Sequence, residues 1–84
     1  MERDTAIVIF QMVKQNKTVD LEVPLNITAN ELVIALNAAY SLGIDTSDIK
    51  NCYLTAERPI ALLRGNQTLQ EYGVRNGTVI YFTE

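Results

Sequence analysis

The sequence predicts a small α+β domain in which a mixed sheet of about five strands packs on one helix, and three observations carry that prediction. Residues 28–43, TANELVIALNAAYSLG, hold one amphipathic helical stretch between a start signal and a stop signal. The segments before and after it are short, rich in β-branched residues or strictly alternating, which is the pattern of strands. The chain of 84 residues is large enough for one hydrophobic core and too small for a second, so residues 1–84 read as a single domain.

Taken in order, residues 1–4, from Met1, read as a loose end. Residues 5–13, TAIVIFQMV, are a strand by propensity. Lys14-Gln15-Asn16-Lys17 is a polar break of hairpin length, and Asn16 can take the positive φ that such turns require. Thr18-Val19-Asp20-Leu21-Glu22-Val23 then alternates strictly, with Val19, Leu21 and Val23 on one face, and Pro24 ends it because proline has no amide to donate.

Thr28-Ala29-Asn30-Glu31 is a capping box that starts the helix, with Ile27 before it placed to pack on Leu32. Stepping at the helical period puts Ala29, Leu32, Val33, Leu36, Ala39 and Tyr40 on the apolar face and leaves Ile34 and Ala38 outside it. Gly43 is expected as the left-handed cap, and Ile44 turns inward. Residues 51–56 (NCYLTA) and 60–63 (IALL) are two further short strands around a Glu57-Arg58-Pro59 turn. Residues 68–73 form one helical turn closed by Gly73, and after the Asn76-Gly77 turn residues 78–83 are the last strand. A lone helix of this length is marginal in water, so its apolar face must meet the sheet. The simplest arrangement sets the last strand parallel beside the first, in the middle of the sheet, in ββαββ(turn)β order: a β-grasp.

Composition excludes several classes of function. The 48% of hydrophobic residues against 20% charged is ordinary globular material, not a disordered segment. A net charge of -3, with seven Lys and Arg scattered singly, leaves no footprint for nucleic acid. The apolar run at residues 6–10 is too short for a signal-peptide core or a membrane span, so no direct membrane insertion is expected. One cysteine, Cys52, cannot form an internal disulfide, which fits a reducing, cytoplasmic setting. With no histidine, nucleophile and base pairs cannot be assembled, and a soft-ligand zinc site lacks its ligands. Asp45 and Asp48 share a loop but lack the alternating oxygen ligands of a calcium loop. No catalytic residue, cofactor or metal is expected, and Cys52 reads as a buried apolar residue of its strand.

The closing string Thr68-Leu69-Gln70-Glu71-Tyr72-Gly73-Val74-Arg75-Asn76-Gly77-Thr78-Val79-Ile80 resembles the end of ubiquitin, where a Thr-Leu-x-x-Tyr turn precedes the final strand. The Thr-x-Asp-Leu-x-Val-Pro run at residues 18–24, the apolar helix and the Tyr72-Gly73-Val74-x-x-Gly77 close resemble the YukD/EsaB family, small ubiquitin-like proteins of bacterial type VII (WXG-type) secretion systems. The resemblance spans nearly the whole chain and rests on structural motifs. It implies an accessory or regulatory protein-interaction module whose partners are secretion-machinery subunits, cytoplasmic and recruited to the inner face of the membrane. The sequence shows no di-glycine tail after Phe82-Thr83-Glu84, so a conjugated modifier is not expected from it as written. A modifier whose glycine tail is missing, or an excised cytosolic domain of a larger membrane component, are the alternatives.

The first and last strands are apolar on both faces, so either register is open to them. The alternation of the second strand, together with the resemblance to ubiquitin, favours a core of Ile7, Ile9, Val19, Leu21, Val23, Leu54, Val79 and Tyr81. That choice sends Val8, Phe10, Tyr53, Ile80 and Phe82 to the opposite face, a contiguous apolar patch on the side where ubiquitin carries its isoleucine-centred recognition surface. These five are the candidate protein-binding residues, and a homodimer through the same face is the other use of such a patch. The bland alternative is that they are strand formers only, or are covered by another segment. On the binding reading, Phe10→Glu or Phe82→Glu leaves the fold intact and weakens a partner contact.

Overall fold

The computed structural model describes residues 4–48 and 50–83; of the loose end expected at residues 1–4, residues 1–3 lie outside the described residues, and the Asp4 carbonyl accepts from the Leu25 N–H at 2.6 Å. Along the chain run β1 (Thr5–Met12), β2 (Lys17–Pro24), α1 (Ala29–Tyr40), β3 (Leu54–Glu57), β4 (Ala61–Leu63), α2 (Leu69–Tyr72) and β5 (Val79–Phe82). Among the described residues the strands form one five-stranded sheet in the order β2-β1-β5-β3-β4. β1 and β5 pair in parallel at its centre, and the other pairs are antiparallel. α1 covers one face. This is the expected β-grasp.

The register of the central strands is the reverse of the expectation. In the β1–β2 hairpin Phe10 lies opposite Val19, Val8 opposite Leu21 and Ala6 opposite Val23. Directly opposed residues share a face. β2 is the strand that alternates cleanly, and it turns Val19, Leu21 and Val23 toward α1, so their partners on β1 turn the same way. β5 follows through its parallel pairing, Phe10 with Ile80 and Met12 with Phe82. Val8, Phe10, Met12, Ile80 and Phe82 therefore form the core, at 0%, 0%, 1%, 0% and 6% exposure. Ile7, Ile9, Val79 and Tyr81 lie on the opposite face. Val79 is buried even there, whereas Ile7 is 50% exposed.

The hairpin loop sets this register. Met12 pairs with Lys17 across residues 13–16, so Lys17 belongs to β2 rather than to the turn. Asn16 takes the positive φ expected of it, at 52°, and donates its N–H to the Val13 carbonyl at 3.1 Å. An even number of loop residues opposes even positions of β1 to odd positions of β2, and one residue more or fewer would exchange the two faces. Phe10→Glu and Phe82→Glu would therefore bury a carboxylate in the core.

α1 begins at the expected box. The Thr28 hydroxyl accepts from the Glu31 N–H at 3.1 Å, and the Glu31 carboxylate accepts from the Thr28 N–H at 2.9 Å. Thr68 and Glu71 repeat the arrangement at α2. The two helix starts also satisfy each other. The Ala29 and Asn30 amides donate to the Gln67 and Gly65 carbonyls, while the Leu69 and Gln70 amides donate to Ile27 and Leu25, all at 2.9–3.0 Å. Orphan first-turn donors of both helices thus find carbonyls in the loop leading into the other.

The C-terminal cap of α1 falls on Ser41, at φ 53°, and not on Gly43, which lies two residues further on in the same left-handed region at φ 78°. The Asn37 side chain holds the loop beyond it. It accepts from the Ile44 N–H at 2.9 Å and donates to the Ile44 carbonyl at 3.1 Å, which directs Ile44 inward as expected. Ala29, Leu32, Val33 and Leu36 are buried and Tyr40 packs its ring 5.5 Å from that of Phe10, but Ala39 is exposed because the sheet does not reach it. Cys52 is buried as expected, although β3 starts only at Leu54. Thr78, fully buried, accepts from the Arg75 N–H at 3.0 Å and donates to the Arg58 carbonyl at 2.7 Å, tying the β3–β4 turn to the start of β5.

Truncation separates the two faces. Phe10→Ala is expected to cost about 3–5 kcal/mol of unfolding free energy, as a buried phenylalanine does. Ile7→Ala, on the uncovered face, is expected to cost less than about 1 kcal/mol. Denaturant unfolding of both variants measures this, and equal costs would reverse the register given above. Removing either capping hydroxyl, by Thr28→Ala or Thr68→Ala, is expected to cost about 1 kcal/mol in the same assay.

Candidate protein-binding surface

The face of the sheet turned away from α1 is read from the strand registers. One row crosses Asp20, Ile9, Val79 and Glu57, on β2, β1, β5 and β3 in turn. The next crosses Thr18, Gln11, Tyr81, Thr55 and Leu62. On the other side of the first row, Ile7 stands opposite Glu22, whose carboxylate accepts from the Thr5 hydroxyl at 2.8 Å. Apolar side chains thus occupy the two central strands, and carboxylates stand on the strands beside them.

Exposure supports the same picture. Ile7 is 50% exposed and Leu62 40%, with Ile9 and Tyr81 half-buried between them. Val13 and Ile60 add exposed apolar surface at the hairpin loop and before β4. At one end of the face, a cleft of about 320 Å³ is lined by Tyr53, Tyr81, Thr55, Thr83, Asn51 and Ile44. The Tyr81 hydroxyl donates to the Glu57 carboxylate. That bond first, and desolvation second, raise the phenol above its ordinary range, against the charge of Arg58, which acts to lower it.

The candidate residues read from sequence divide accordingly. Val8, Phe10, Ile80 and Phe82 are brought together in the core beneath α1; the first three have no exposed surface, whereas Phe82, 6% exposed, also lines the cleft beside Tyr53. Tyr53 is exposed at 38% and lines the cleft. The residues that sequence reasoning missed are Ile7, Ile9, Tyr81 and Leu62. The signal that finds them is the parity of the hairpin loop combined with the alternation of β2. Ile34 and Ala38 are exposed on α1 as expected, and Glu31 is the acidic residue of its first turn.

No reacting group accompanies this surface. Cys52 is buried at 3% exposure, and its thiol donates to the Asn30 side-chain oxygen at 3.3 Å. Burial, and then the charge of Asp45, push the thiol up, away from the thiolate a nucleophile needs. The Asp45 carboxyl is held below its ordinary range by the Ser47 hydroxyl and then by the Ser47 amide, as in a closed polar turn. Among the described residues no group of three or more His, Cys, Asp or Glu is placed to hold a metal ion. No helix among them is long and apolar enough to cross a membrane.

The comparisons with known proteins follow this geometry. The family model described as "WXG100 protein secretion system (Wss), protein YukD" matches residues 7–82. No curated protein matches the sequence significantly. Among solved structures, the C-terminal ubiquitin-like domain of mouse tubulin-specific chaperone e superposes with a TM-score of 0.70 at 17% identity, covering 96% of this chain and 87% of its own. A designed protein based on ubiquitin gives 0.64 at 16% identity, covering 95% and 88%. The ubiquitin-like domain of Plasmodium falciparum Dsk2 gives 0.60 at 18%, covering 92% and 96%. At these identities the likeness concerns the fold, which is ubiquitin-like.

The Tyr81 bond predicts a titration. Because the phenol binds its proton more tightly in the folded chain than in the unfolded one, its contribution to stability is present below the ordinary tyrosine pKa. It fades as pH rises through the higher folded value. Ultraviolet titration of the four tyrosines should show a late-titrating component that disappears in Tyr81→Phe. Four tyrosines titrating together would remove the bond from the structure in solution.

Proposed function

Because this chain belongs to the YukD family of WXG100 secretion-system proteins, we propose that it is a non-enzymatic, non-conjugated ubiquitin-like interaction module, an accessory or regulatory component that binds other subunits of that system. It works at the cytoplasmic face, recruited to the membrane by its protein contacts. The single observation that supports this reading most is the uncovered apolar face of β1, β5 and β4, with Ile7 at 50% and Leu62 at 40% exposure. Several large apolar side chains standing together in water on so small a domain are the usual mark of a protein contact.

The test is affinity purification of the full chain from its native cell beside Ile7→Glu and Leu62→Glu. Both variants lie on the open face and are expected to keep the far-ultraviolet circular dichroism and the melting temperature of the parent within a few degrees. They are expected to lose most of the co-purifying secretion-machinery subunits. Equal recovery with parent and variants would remove the open face from the function. Recovery of an activating enzyme joined through a thioester would replace the module reading by that of a modifier.

A further inference from the structure

Resting on the reading of the open sheet face as the docking surface, we infer that its occupant is an amphipathic helix of the partner whose apolar stripe is bordered on both flanks by Lys or Arg. The argument is one of charge and width. The row Asp20, Ile9, Val79, Glu57 puts a carboxylate on the strand to each side of the two apolar central strands. Glu22, beside the exposed Ile7, extends the acidic border along β2. Asp20 and Glu57 are three strand spacings apart, about 14 Å. An α-helix with its side chains is about 10–12 Å across, so one laid along β1 and β5 fills the interval. Cations on its flanks then reach both borders, while its apolar stripe meets Ile7, Ile9 and Tyr81.

The alternatives fit less well. An added strand would need a sheet edge, whereas β1 and β5 are central. An anionic membrane surface would be repelled by the carboxylates, and the chain carries a net charge of -3. A second copy cannot supply the complement from its own helix, because α1 has Glu31 in its first turn and no basic residue in its last. Arg58 lies in the turn that follows Glu57, and its charge is felt by Tyr81.

The experiment uses isotope-labelled full chain and two synthetic helical peptides sharing one leucine stripe, flanked on both sides by Lys in one and by Glu in the other. The Lys-flanked peptide is expected to shift the amide resonances of β1, β5 and β3, and not those of the exposed side of α1. The double variant Asp20→Lys with Glu57→Lys is expected to weaken that peptide about tenfold or more and to bind the Glu-flanked one instead. Equal affinity for both peptides, shifts on another face, binding to phosphatidylserine vesicles, or dimerisation through the open face would each overturn the inference. The same variants in the affinity purification separate it from the reading it rests on. Loss of the partner with Ile7→Glu but not with the charge-reversed pair would keep the docking face and discard the basic helix. Loss with neither would discard both.

Discussion

The register of the β1–β2 hairpin is the constraint on which the rest of the structure depends. β5 is apolar at odd and even positions alike, and β1 has only Thr5 and Gln11, near its two ends, to mark the face turned away from the helix, so neither can fix by itself which of its faces is covered. β2 can, because Asp20 and Glu22 cannot be buried unpaired and Val19, Leu21 and Val23 gain by it. The loop at residues 13–16 transmits that choice to β1, and the parallel pairing of Phe10 with Ile80 transmits it to β5. The result places both phenylalanines of the chain in the core and both central-strand isoleucines of β1, Ile7 and Ile9, outside it. A loop one residue different would have exchanged the open face with the core.

A second constraint joins the two halves of the chain behind that surface. The loops before α1 and α2 exchange backbone hydrogen bonds with each other's helix starts, and Thr28 and Thr68 face one another in an isolated bridge. A four-residue helix such as α2 has no independent stability, so its place is set by these bonds, by its Thr68 box and by buried Leu69. The Tyr72 hydroxyl, donating to the Arg64 carbonyl at 2.7 Å, fixes the loop between β4 and α2. Polar groups are satisfied throughout this side of the molecule, down to Thr78. A partner on the open face therefore meets a sheet whose strands are already held in place, and binding need not order them.

Local signals made the elements and their order legible in the sequence. The Thr28–Glu31 capping box, the positive φ of Asn16 and the alternation of β2 are written in a few adjacent residues and agree with the structure, while the second box, at Thr68 and Glu71, is equally local and went unread. The faces of β1 and β5 were not legible in the same way, because the middle of β1, Ile7 to Phe10, and all of β5 are apolar and leave only Thr5 and Gln11 to mark the outside. The information lay in a relation between residues: Phe10 faces Val19 only because the loop between the strands holds four residues. The turn expected at residues 14–17 also holds four residues and has the same parity, so under either boundary the count together with the alternation of β2 turns Val8, Phe10, Ile80 and Phe82 toward α1. Tyr53 survived because it lies outside the hairpin, where the period of β3 alone decides its side. The cap at Ser41 was missed for a related reason. Gly43 has the stronger local preference, but the Asn37 clamp on Ile44 is a tertiary arrangement that ends the helix earlier.

The composition of the two central strands bears on function through what the fold does not require. A sheet with one covered face is served by strands that alternate, as β2 does, with polar residues turned to water. β1 and β5 sit in the middle of the same sheet and have the same single face under α1, yet they carry Ile7, Ile9, Val79 and Tyr81 on the other. Threonine in place of Ile7, Ile9 or Tyr81 would keep β propensity, reduce an apolar patch that favours aggregation and leave the residues beneath α1 untouched. The apolar residues of the open face are thus surplus to folding, whereas the carboxylates bordering them are what solubility in the free state would call for. On the proposed reading, a surface that is apolar along its centre and acidic along its sides would meet both needs: dispersal alone, and acceptance of a partner of complementary pattern.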